Sequence, residues 1–399
     1  MMTFVEGHGH FMAAMAEKWN EENPDRAIDL QFNVTGWDEM HNQALLTLTS
    51  GGDVPDIVDL EIGRFSDFVR GEQILVDLTP FAEPFRDSIV EARLDLYSRD
   101  GKLFGLDYHV GATVAFYNAA LLEAAGIDWT TIRTWEDYRD AGIAYTEATG
   151  RHFGVTETSA SWQLQVLLAQ LGGELIAPDG TPDLTNEKVV EAITILQDIA
   201  DQGASSPIPG GQADHEQEGR PAFATGDWAA AIMPMWYAER FLTWQPENAG
   251  QWVVAAPPTI DGAVQATVGG GGTGTAVPLA SPNADLAAEF VAFAKLSVAG
   301  NELVWSELGF DPLNMDVWTD ESVTQDPDNA YVQFFANNPF DALNEMGDAI
   351  GLLQSQKADA WPIVNTIMTT DVLNNIFENG MSIEDALNQG QADALNQAR

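Results

Sequence analysis

The sequence predicts an α/β fold made of two lobes. Segments with the alternating apolar and polar pattern of strands recur along the chain between segments whose apolar residues have helical spacing, and this alternation is typical of α/β domains. The chain has 399 residues, 45% of them hydrophobic, and it exceeds the length at which one hydrophobic core usually splits into separate domains. We therefore expect two lobes, each with its own core.

The individual elements follow from periodicity and from the residues that begin or end them. Phe11, Met15 and Trp19 recur at helical spacing before Pro24, which cannot continue a helix. Thr134 and Asp137 have the spacing of a capping box and predict the start of a helix. On the same criteria we predict helices at 11–23, 38–48 with Asp38 as N-cap, 65–71, 121–125, 162–171, 186–200 and 284–296, and strands at 28–34, 57–60, 103–106, 113–117, 229–233 and 252–255.

The charge of the chain is strongly unbalanced. It has 17 Lys and Arg against 61 Asp and Glu, a net charge of −44. The negative electrostatic potential of such a chain repels nucleic acid and anionic membranes. It also disfavours an anionic ligand unless a local cationic pocket exists. The acidic residues are scattered along helices rather than gathered in a tail, which predicts a solvated acidic shell suited to high salt, where self-repulsion is screened. A calcium-loaded acidic protein is the alternative, but the sequence lacks the D-x-[DN]-x-[DN]-G loop of such calcium sites.

Composition excludes several kinds of site. The sequence has no cysteine, so disulfides, thiolate catalysis and cysteine-ligated metal centres are excluded. No apolar run approaches the eighteen or more residues of a membrane-spanning helix. The start of the chain lacks the basic and apolar regions of a secretory signal, so if the protein is exported we expect that its signal has been removed from this chain.

One phrase places carboxylates where α/β proteins bind ligands. A Gly-rich turn, Gly51–Asp53, leads through Pro55-Asp56 into a short apolar strand that ends in Asp59 and Glu61. Ligands of open α/β sheets lie outside the carboxyl ends of strands. Glu61 is therefore predicted at the rim of a cleft.

This phrase is the first of an ordered series that covers nearly the whole chain. The others are Gly101-Lys-Leu-Phe-Gly-Leu-Asp107 with Phe116-Tyr-Asn118, Thr134-Trp-Glu-Asp-Tyr138, Phe223-Ala-Thr-Gly-Asp-Trp-Ala-Ala-Ala-Ile-Met233, and Asn283-Ala-Asp-Leu-Ala-Ala-Glu-Phe290. Each motif alone is weak, but in this order they resemble the family-1 extracellular solute-binding proteins. This group supplies the sugar-binding components of ABC importers and includes maltodextrin and arabinose binders.

The resemblance implies a periplasmic-binding-protein-like fold of two α/β lobes with mixed sheets, joined by hinge crossings near Gly111, Gly262 and Phe310. One lobe would comprise residues 1–110 and 265–309, the other residues 112–262 and 312–399. A sugar would be held between the lobes and delivered by the closed form to the permease subunits of an ABC transporter. The resemblance thus implies a monomeric, extracellular or periplasmic binding protein without cofactor, metal or enzymatic activity. It is compatible with attachment to the membrane by a lipid anchor.

Aromatic side chains are the first candidates for binding a sugar, because they cover the flat C–H faces of the ring. By the resemblance, Trp236 stands where the family places a stacking aromatic, with Tyr237 as the alternative if the strand is offset by one residue. Trp361 lies where a family helix presents another aromatic. Trp162 belongs to the family's acid-and-aromatic loop, and Trp37 lies in a loop that often contributes contacts. Trp19, Trp135 and Trp228 are predicted to be core residues, since their spacing already explains burial.

Polar candidates would bind the hydroxyl groups, and carboxylates give the stronger, charge-assisted hydrogen bonds. Glu61 is the leading carboxylate, and Arg64 lies beside it, with an ion pair to Asp59 or Asp67 as the structural alternative. Glu157 precedes Trp162 in the same loop. Tyr108 and His109 follow the strand at the first crossing.

Two further motifs have rival interpretations. Gly269–Gly274 formally satisfies G-x-G-x-x-G, but a strand rather than a helix is predicted after it and Thr275 replaces the phosphate-loop lysine. We expect instead that the run, at Gly270, lets the backbone approach the ligand. The Gly-rich segment from Glu6 to His10, with His41, could suggest a metal site but lacks helical ligand spacing. By the resemblance this segment is a loop at the cleft edge, so that Glu6 or His8 contacts the sugar.

Other functions remain as alternatives to an importer component. A sugar sensor that signals through a receptor would share the same binding chemistry, and a glycerol-phosphate-type binder would be the main anionic exception. A glycoside hydrolase would also combine tryptophans with carboxylates, but no acid and nucleophile are specified at a fixed separation.

Overall fold

The computed structural model of the chain describes residues 1–50, 54–211, 213, 216–263 and 267–398. The Gly-rich turn predicted at Gly51–Asp53 lies outside the described residues, as does residue 265, the predicted start of the returning segment of the first lobe.

Helices dominate the chain. Their bounds are α1 Glu6–Glu22, α2 Trp37–Ser50, α3 Ile62–Val69, α4 Thr79–Ala82, α5 Glu91–Leu96, α6 Ala119–Ala124, α7 Trp135–Thr149, α8 Trp162–Leu171, α9 Glu187–Asp201, α10 Glu216–Ala224, α11 Ala238–Trp244, α12 Ala284–Leu296, α13 Val298–Leu303, α14 Glu321–Thr324, α15 Ala330–Phe334, α16 Pro339–Met346, α17 Trp361–Ile367, α18 Leu373–Phe377 and α19 Ile383–Gln397.

The strands are short and lie between the helices. They are β1 Met2–Thr3, β2 Asn33–Val34, β3 Val58–Glu61, β4 Ser98–Arg99, β5 Lys102–Leu103, β6 Thr113–Asn118, β7 Gly154–Val155, β8 Ser205–Ser206, β9 Ala230–Pro234, β10 Trp252–Ala255, β11 Thr267–Val268, β12 Thr273–Ala276 and β13 Ile350–Gly351.

The chain forms two compact units. Unit 1 consists of Met1–Gly111 and Gly271–Val323, and unit 2 consists of Ala112–Gly270 and Thr324–Arg399. The division after Gly111 coincides with the first expected crossing. The other two divisions come later in the sequence than the crossings expected near residues 262 and 310.

Hydrogen bonds within each unit explain these later divisions. Strand β11 pairs with β13 of unit 2, and Thr267 Oγ1 donates to the carbonyl of Thr113 over 2.8 Å, so this strand belongs to unit 2. The segment after residue 310 packs on unit 1, where Ser88 Oγ donates to Asp316 over 2.8 Å.

A mixed four-stranded sheet organises unit 1, in the order β12-β3-β1-β2. Strand β1 is parallel to β2 and β3, whereas β12 returns antiparallel to β3 and pairs Thr273 with Glu61. Helix α1 packs against α12 through Trp19, whose indole meets Phe290 and Phe293 edge to face. This sheet places Glu61 at the carboxyl end of β3, as predicted.

An antiparallel sheet, β10-β6-β9, lies at the centre of unit 2. All six residues of β6 are buried. Because both faces of this strand are covered, its central residues Val114–Tyr117 form a continuous apolar run rather than an alternation. The surrounding core combines β6 and β9 with α7, α8, α9, α17 and α19.

Local signals predicted several elements correctly. The predicted bounds of α8, α12 and β10 agree with the structure. The capping box is confirmed, because Thr134 Oγ1 accepts from the N–H of Asp137 and the Asp137 carboxylate accepts from the N–H of Thr134. Trp19, Trp135 and Trp228 are buried, as predicted.

Several predictions of secondary structure were wrong, among them the strand at 103–106, of which only Leu103 belongs to a strand. The strand predicted at 28–34 is reduced to β2, because the side chain of Asn20 makes hydrogen bonds to both the N–H and the C=O of Ile28, in place of a neighbouring strand. Asp38 is not an N-cap, since α2 already begins at Trp37. The Gly-rich segment at Glu6–His10 is not a loop but the first part of α1.

None of the helices formed by the described residues is both long enough and apolar enough to cross a lipid bilayer.

Candidate functional site

An exposed tryptophan marks the candidate surface of unit 1. Trp37 begins α2 and is 38% exposed. The guanidinium carbon of Arg64, on α3, lies 5.7 Å from the centre of its ring, within the range of a cation–π contact. Arg64 also donates to Asp67 over 3.0 Å and to the amide oxygen of Asn42 over 3.1 Å. Arg64 therefore has the predicted alternative ion pair and also lies over a candidate aromatic.

Glu61 connects this surface to the end of β3. It is the N-cap of α3, and its carboxylate accepts a hydrogen bond from the N–H of Gly63 over 2.8 Å. Its side chain remains partly exposed. The surrounding protein nevertheless desolvates the carboxyl group and, with the nearby charge of Asp107, raises the pKa of Glu61 to about 7 against the hydrogen bond from Gly63.

His41 links Glu61 to Trp37. Its Nε2 accepts from the backbone N–H of Glu61 over 2.9 Å, and its Nδ1 lies 2.7 Å from the carbonyl oxygen of Trp37. These partners require a neutral ring with the proton on Nδ1. Desolvation agrees with this state, because it lowers the pKa of His41. The three residues thus form one hydrogen-bonded group.

His8 and Tyr108 lie in the interior of unit 1 rather than on the candidate surface. Their rings stack with centres 3.9 Å apart, and both approach Asp59, His8 through Nδ1 at 3.3 Å and Tyr108 through its hydroxyl at 3.2 Å. Thr3 and Thr275 donate to the same carboxylate. We call His8, Asp59, Tyr108 and Lys295 the Asp59 cluster.

Lys295 completes the Asp59 cluster from α12. Its ammonium lies over the ring of Tyr108 and is fully buried, without a hydrogen-bond partner among the described residues. Desolvation lowers the pKa of Lys295 well below its usual value, against the attraction of Asp59 and Asp107. Contact with Asp59 and mutual ring stacking therefore account for the interior positions of His8 and Tyr108.

The remaining candidates of unit 1 lie apart from Trp37 and Glu61. His109 is 5% exposed, and its Nδ1 lies 3.5 Å from the Asp311 carboxylate, so it too is interior. Glu6 is exposed in the first turn of α1, 3.6 Å from His10. The structure therefore brings together Trp37, Glu61 and Arg64. It buries His8, Tyr108 and His109, and it leaves Glu6 exposed on α1.

In unit 2, two tryptophans meet at a corner closed by a glycine. The rings of Trp162 and Trp236 lie edge to face with centres 5.9 Å apart. The indole N–H of Trp236 donates to the carbonyl of Gly270 over 2.9 Å. A Cβ on Gly270 would lie 2.8 Å from the Trp162 ring, so only a glycine admits this approach. Three predicted candidates thus form one corner, and we call it the Trp236 corner.

The Trp236 corner keeps groups that a ligand could use. Trp236 and Trp162 are both partly exposed. The indole Nε1 of Trp162 is buried and has no hydrogen-bond partner among the described residues. Arg240, which no sequence motif indicated, has its guanidinium carbon 5.2 Å from the centre of the Trp236 ring.

Three other candidates of unit 2 are buried. Tyr237 is fully buried, and its hydroxyl donates to the carbonyl of Ala213. Trp361 is 2% exposed in the core of the unit. Glu157 is 6% exposed and accepts from the N–H of Gln163 over 2.9 Å, at the start of α8. Core packing and helix capping therefore explain the residues that motif position alone had suggested as ligand contacts.

A pocket of about 330 Å³ elsewhere in unit 2 contains none of the predicted ligand-binding residues in its described walls. It lies beside Trp129 and the ion pair between Arg133 and Glu345, whose side chains are 2.7 Å apart. Its volume alone does not identify a ligand, so we base the candidate site on the aromatic and polar groups above.

The structure gives no support to the rival interpretations of two motifs. After Gly269–Gly274 the chain continues along β12 rather than into a helix, so the run lacks the helix start that holds phosphates. Within the described ranges, no three His, Asp or Glu side chains are grouped so that they could hold a metal ion.

Comparison with known proteins decides the family. The family model for bacterial extracellular solute-binding proteins matches residues 6–300. The chain belongs to this family. Among curated relatives of this solute-binding protein, the arabinooligosaccharide-binding protein of Bacillus subtilis is 38% identical over 94% of this chain and 87% of its own length. Its counterpart in Halalkalibacterium halodurans is 34% identical over 98% of this chain and 87% of its own length.

Solved structures confirm the predicted fold of this solute-binding protein. The sugar-binding protein MalE from Xanthomonas citri has a TM-score of 0.82 and 17% identity, over 100% of this chain and 97% of its own. The cyclic α-maltosyl-1,6-maltose binding protein from Arthrobacter globiformis has a TM-score of 0.78 and 18% identity, over 99% of this chain and 97% of its own. The predicted periplasmic-binding-protein-like α/β architecture is therefore confirmed, and the family and these relatives are binding proteins.

Proposed function

We propose that the protein is the substrate-binding component of an ABC importer and that its ligand is a neutral oligosaccharide, with an arabino-oligosaccharide as the first candidate. The observation that carries this proposal is the 38% identity with an arabinooligosaccharide-binding protein over 94% of the chain. Similarity of this extent along nearly the whole chain supports a shared ligand class.

The chemistry of the candidate residues supports a sugar. Trp37 in unit 1 and Trp236 in unit 2 offer partly exposed aromatic faces for the C–H faces of sugar rings. Glu61 and Arg64 supply an acceptor and donors beside Trp37, while Trp162 adds an unpaired indole N–H beside Trp236. We propose that these five residues and Gly270 contact the ligand.

The charge of the chain supports a neutral ligand. A net charge of −44 repels phosphorylated or uronic sugars, and Arg64 is balanced by Asp67. We also propose that the protein is exported, acts as a monomer, delivers the sugar to permease subunits and leaves it chemically unchanged.

Calorimetric titration in molar salt tests this function. The panel contains arabino-oligosaccharides of increasing length, maltodextrins, galacto-oligosaccharides and glycerol phosphate, and each mixture is afterwards analysed by chromatography. We expect saturable binding of arabino-oligosaccharides and recovery of intact sugar. Hydrolysis of the sugar would overturn the carrier function, and preference for glycerol phosphate would overturn the neutral ligand.

A further inference from the structure

We infer that Arg240 is a further ligand-binding residue, which donates hydrogen bonds to sugar hydroxyls at the Trp236 corner and so contributes to specificity. This inference rests on the proposed sugar-binding function and adds a residue to its site. It depends on the position of Arg240 over the partly exposed ring of Trp236 and on how little the ion pair of Arg240 with Glu239 contributes to folding.

The local fold fixes the two side chains side by side. Trp236 lies in the helical turn Met235–Tyr237 that continues into α11, and Arg240 follows four residues later in the first turn of that helix. Residues four apart lie on the same face of a helix. The guanidinium carbon is accordingly 5.2 Å from the centre of the indole ring.

Trp236 is the rigid partner of this pair. Its N–H is held by the carbonyl of Gly270, and its ring is braced by Trp162. Among the described residues, Arg240 makes one ion pair, 2.9 Å to the neighbouring Glu239, and about a third of both side chains is exposed. Arg240 can therefore move while the aromatic surface stays in place.

Stability does not account for the position of Arg240. An exposed ion pair with the adjacent residue contributes little to folding, and a cation in the first turn of a helix is disfavoured by the helix dipole. By contrast, Arg139 of the same unit contacts three carboxylates, those of Glu136, Asp140 and Asp198. Basic residues are scarce in this chain, with 17 against 61 acidic residues. The position of Arg240 over the ring of Trp236 therefore indicates a binding role.

The same pairing occurs in unit 1, where Arg64 lies over Trp37. There the arginine donates to both Asp67 and Asn42, whereas the guanidinium of Arg240 donates to Glu239 within the part of the chain that the structure describes. Among the described residues, Arg240 is thus constrained by fewer hydrogen bonds than Arg64.

The chemistry of a guanidinium group suits this role. It carries five N–H donors in a planar fork and no acceptor. When a sugar ring packs against Trp236, the guanidinium moves to its edge and donates to hydroxyl oxygens. Since Glu239 balances the charge, the contact selects for closely spaced hydroxyl acceptors without requiring an anionic sugar.

The test measures the dissociation constant of the oligosaccharide that the wild type binds best. We expect Arg240→Ala to weaken binding about 10- to 100-fold, as for the loss of a hydrogen bond to a charged group. Arg240→Lys keeps the charge but loses the planar guanidinium group with its five donors. Its dissociation constant should lie between those of the wild type and Arg240→Ala. The matched control is Arg133→Ala, an exposed arginine of unit 2 paired with Glu345, which should leave the affinity unchanged.

The outcomes separate this inference from the proposed function. An unchanged or tighter affinity in Arg240→Ala, with sugar binding intact in the wild type, would overturn the role of Arg240 alone, and tighter binding would mean that Arg240 only covers Trp236. A wild type that binds no sugar would overturn the proposed function and this inference with it. Equal melting temperatures of the variants exclude unfolding as the cause of a lost affinity.

Discussion

The backbone N–H of Glu61 donates to Nε2 of His41 over 2.9 Å. Because the other nitrogen of that ring faces the carbonyl of Trp37, one neutral histidine connects the leading carboxylate of unit 1 to its exposed tryptophan. The Glu61 side chain is not needed for this hydrogen bond, so its charge can be changed while the connection is retained.

Glu61→Gln should change how stability depends on pH. The pKa of Glu61 is raised from 4.5 to about 7 by burial, so between these values the folded state holds a proton that the unfolded state has lost. The wild type therefore loses stability relative to Glu61→Gln as the pH rises from about 4.5 to about 7, and the difference then levels off. Urea unfolding of both proteins across this range measures it. A difference that is constant with pH would contradict the raised pKa.

Trp236→Ala should weaken sugar binding by about 1–3 kcal/mol, because it removes a large apolar face from the ligand. Calorimetric titration of the variant against wild type measures the change. The variant Trp236→Phe keeps an aromatic face and should retain part of the affinity. If the dissociation constant of Trp236→Ala equals that of the wild type, Trp236 serves packing and not binding.

Trp361→Ala should instead destabilise the fold. Trp361 is 2% exposed in the core of unit 2, and truncation of such a side chain costs about 3–5 kcal/mol. Chemical unfolding measures this loss, and titration under conditions where the variant stays folded should show little change in affinity. A large loss of affinity with normal stability would return Trp361 to the binding site.

Asp59→Ala should lower the free energy of unfolding more than Lys295→Met does. Asp59 receives hydrogen bonds from Thr3, Tyr108 and Thr275, and its removal leaves these buried donors without an acceptor, a loss of about 3–5 kcal/mol. Lys295→Met removes a buried ammonium that lacks hydrogen bonds and keeps a similar volume. The free energies of unfolding of both variants decide the order, and the reverse order would show that Lys295 holds the Asp59 cluster together.

Salt should stabilise the protein. A net charge of −44 opposes the compact state by self-repulsion, and at molar salt the Debye length falls to about 3 Å, which screens that repulsion. The melting temperature should therefore rise between dilute buffer and molar salt. A melting temperature that does not change with salt would remove the argument for a salt-adapted protein.

Local signals in the sequence predicted much of the fold. Helices α8 and α12 and the capping box at Thr134 depend on residues within a few positions, so they could be predicted from the sequence. The strand expected at 28–34 failed because its backbone partner is a distant side chain, Asn20. The early start of α1 was missed because Gly9 is present for packing, where any Cβ would meet the ring of Phe32.

The candidate site was only partly predictable. Motif positions indicated Trp37, Glu61 and Trp236, which the structure leaves partly exposed. The same reasoning selected Tyr237 and Trp361, because motif order does not reveal which of two neighbouring aromatics tertiary packing will bury. Arg240 was missed although its spacing of four residues from Trp236 was visible in the sequence.

The backbone around Gly272 limits how this protein can diversify. Gly272 has a φ of 134°, and a methyl group there would collide with Arg93, Asp107 and the hydroxyl of Tyr97, all buried in unit 1. Even an alanine at this position would force the guanidinium away from the carboxylate that it pairs with. The Arg93–Asp107 pair therefore constrains position 272 to glycine, a constraint that does not apply to an exposed side chain such as Trp37.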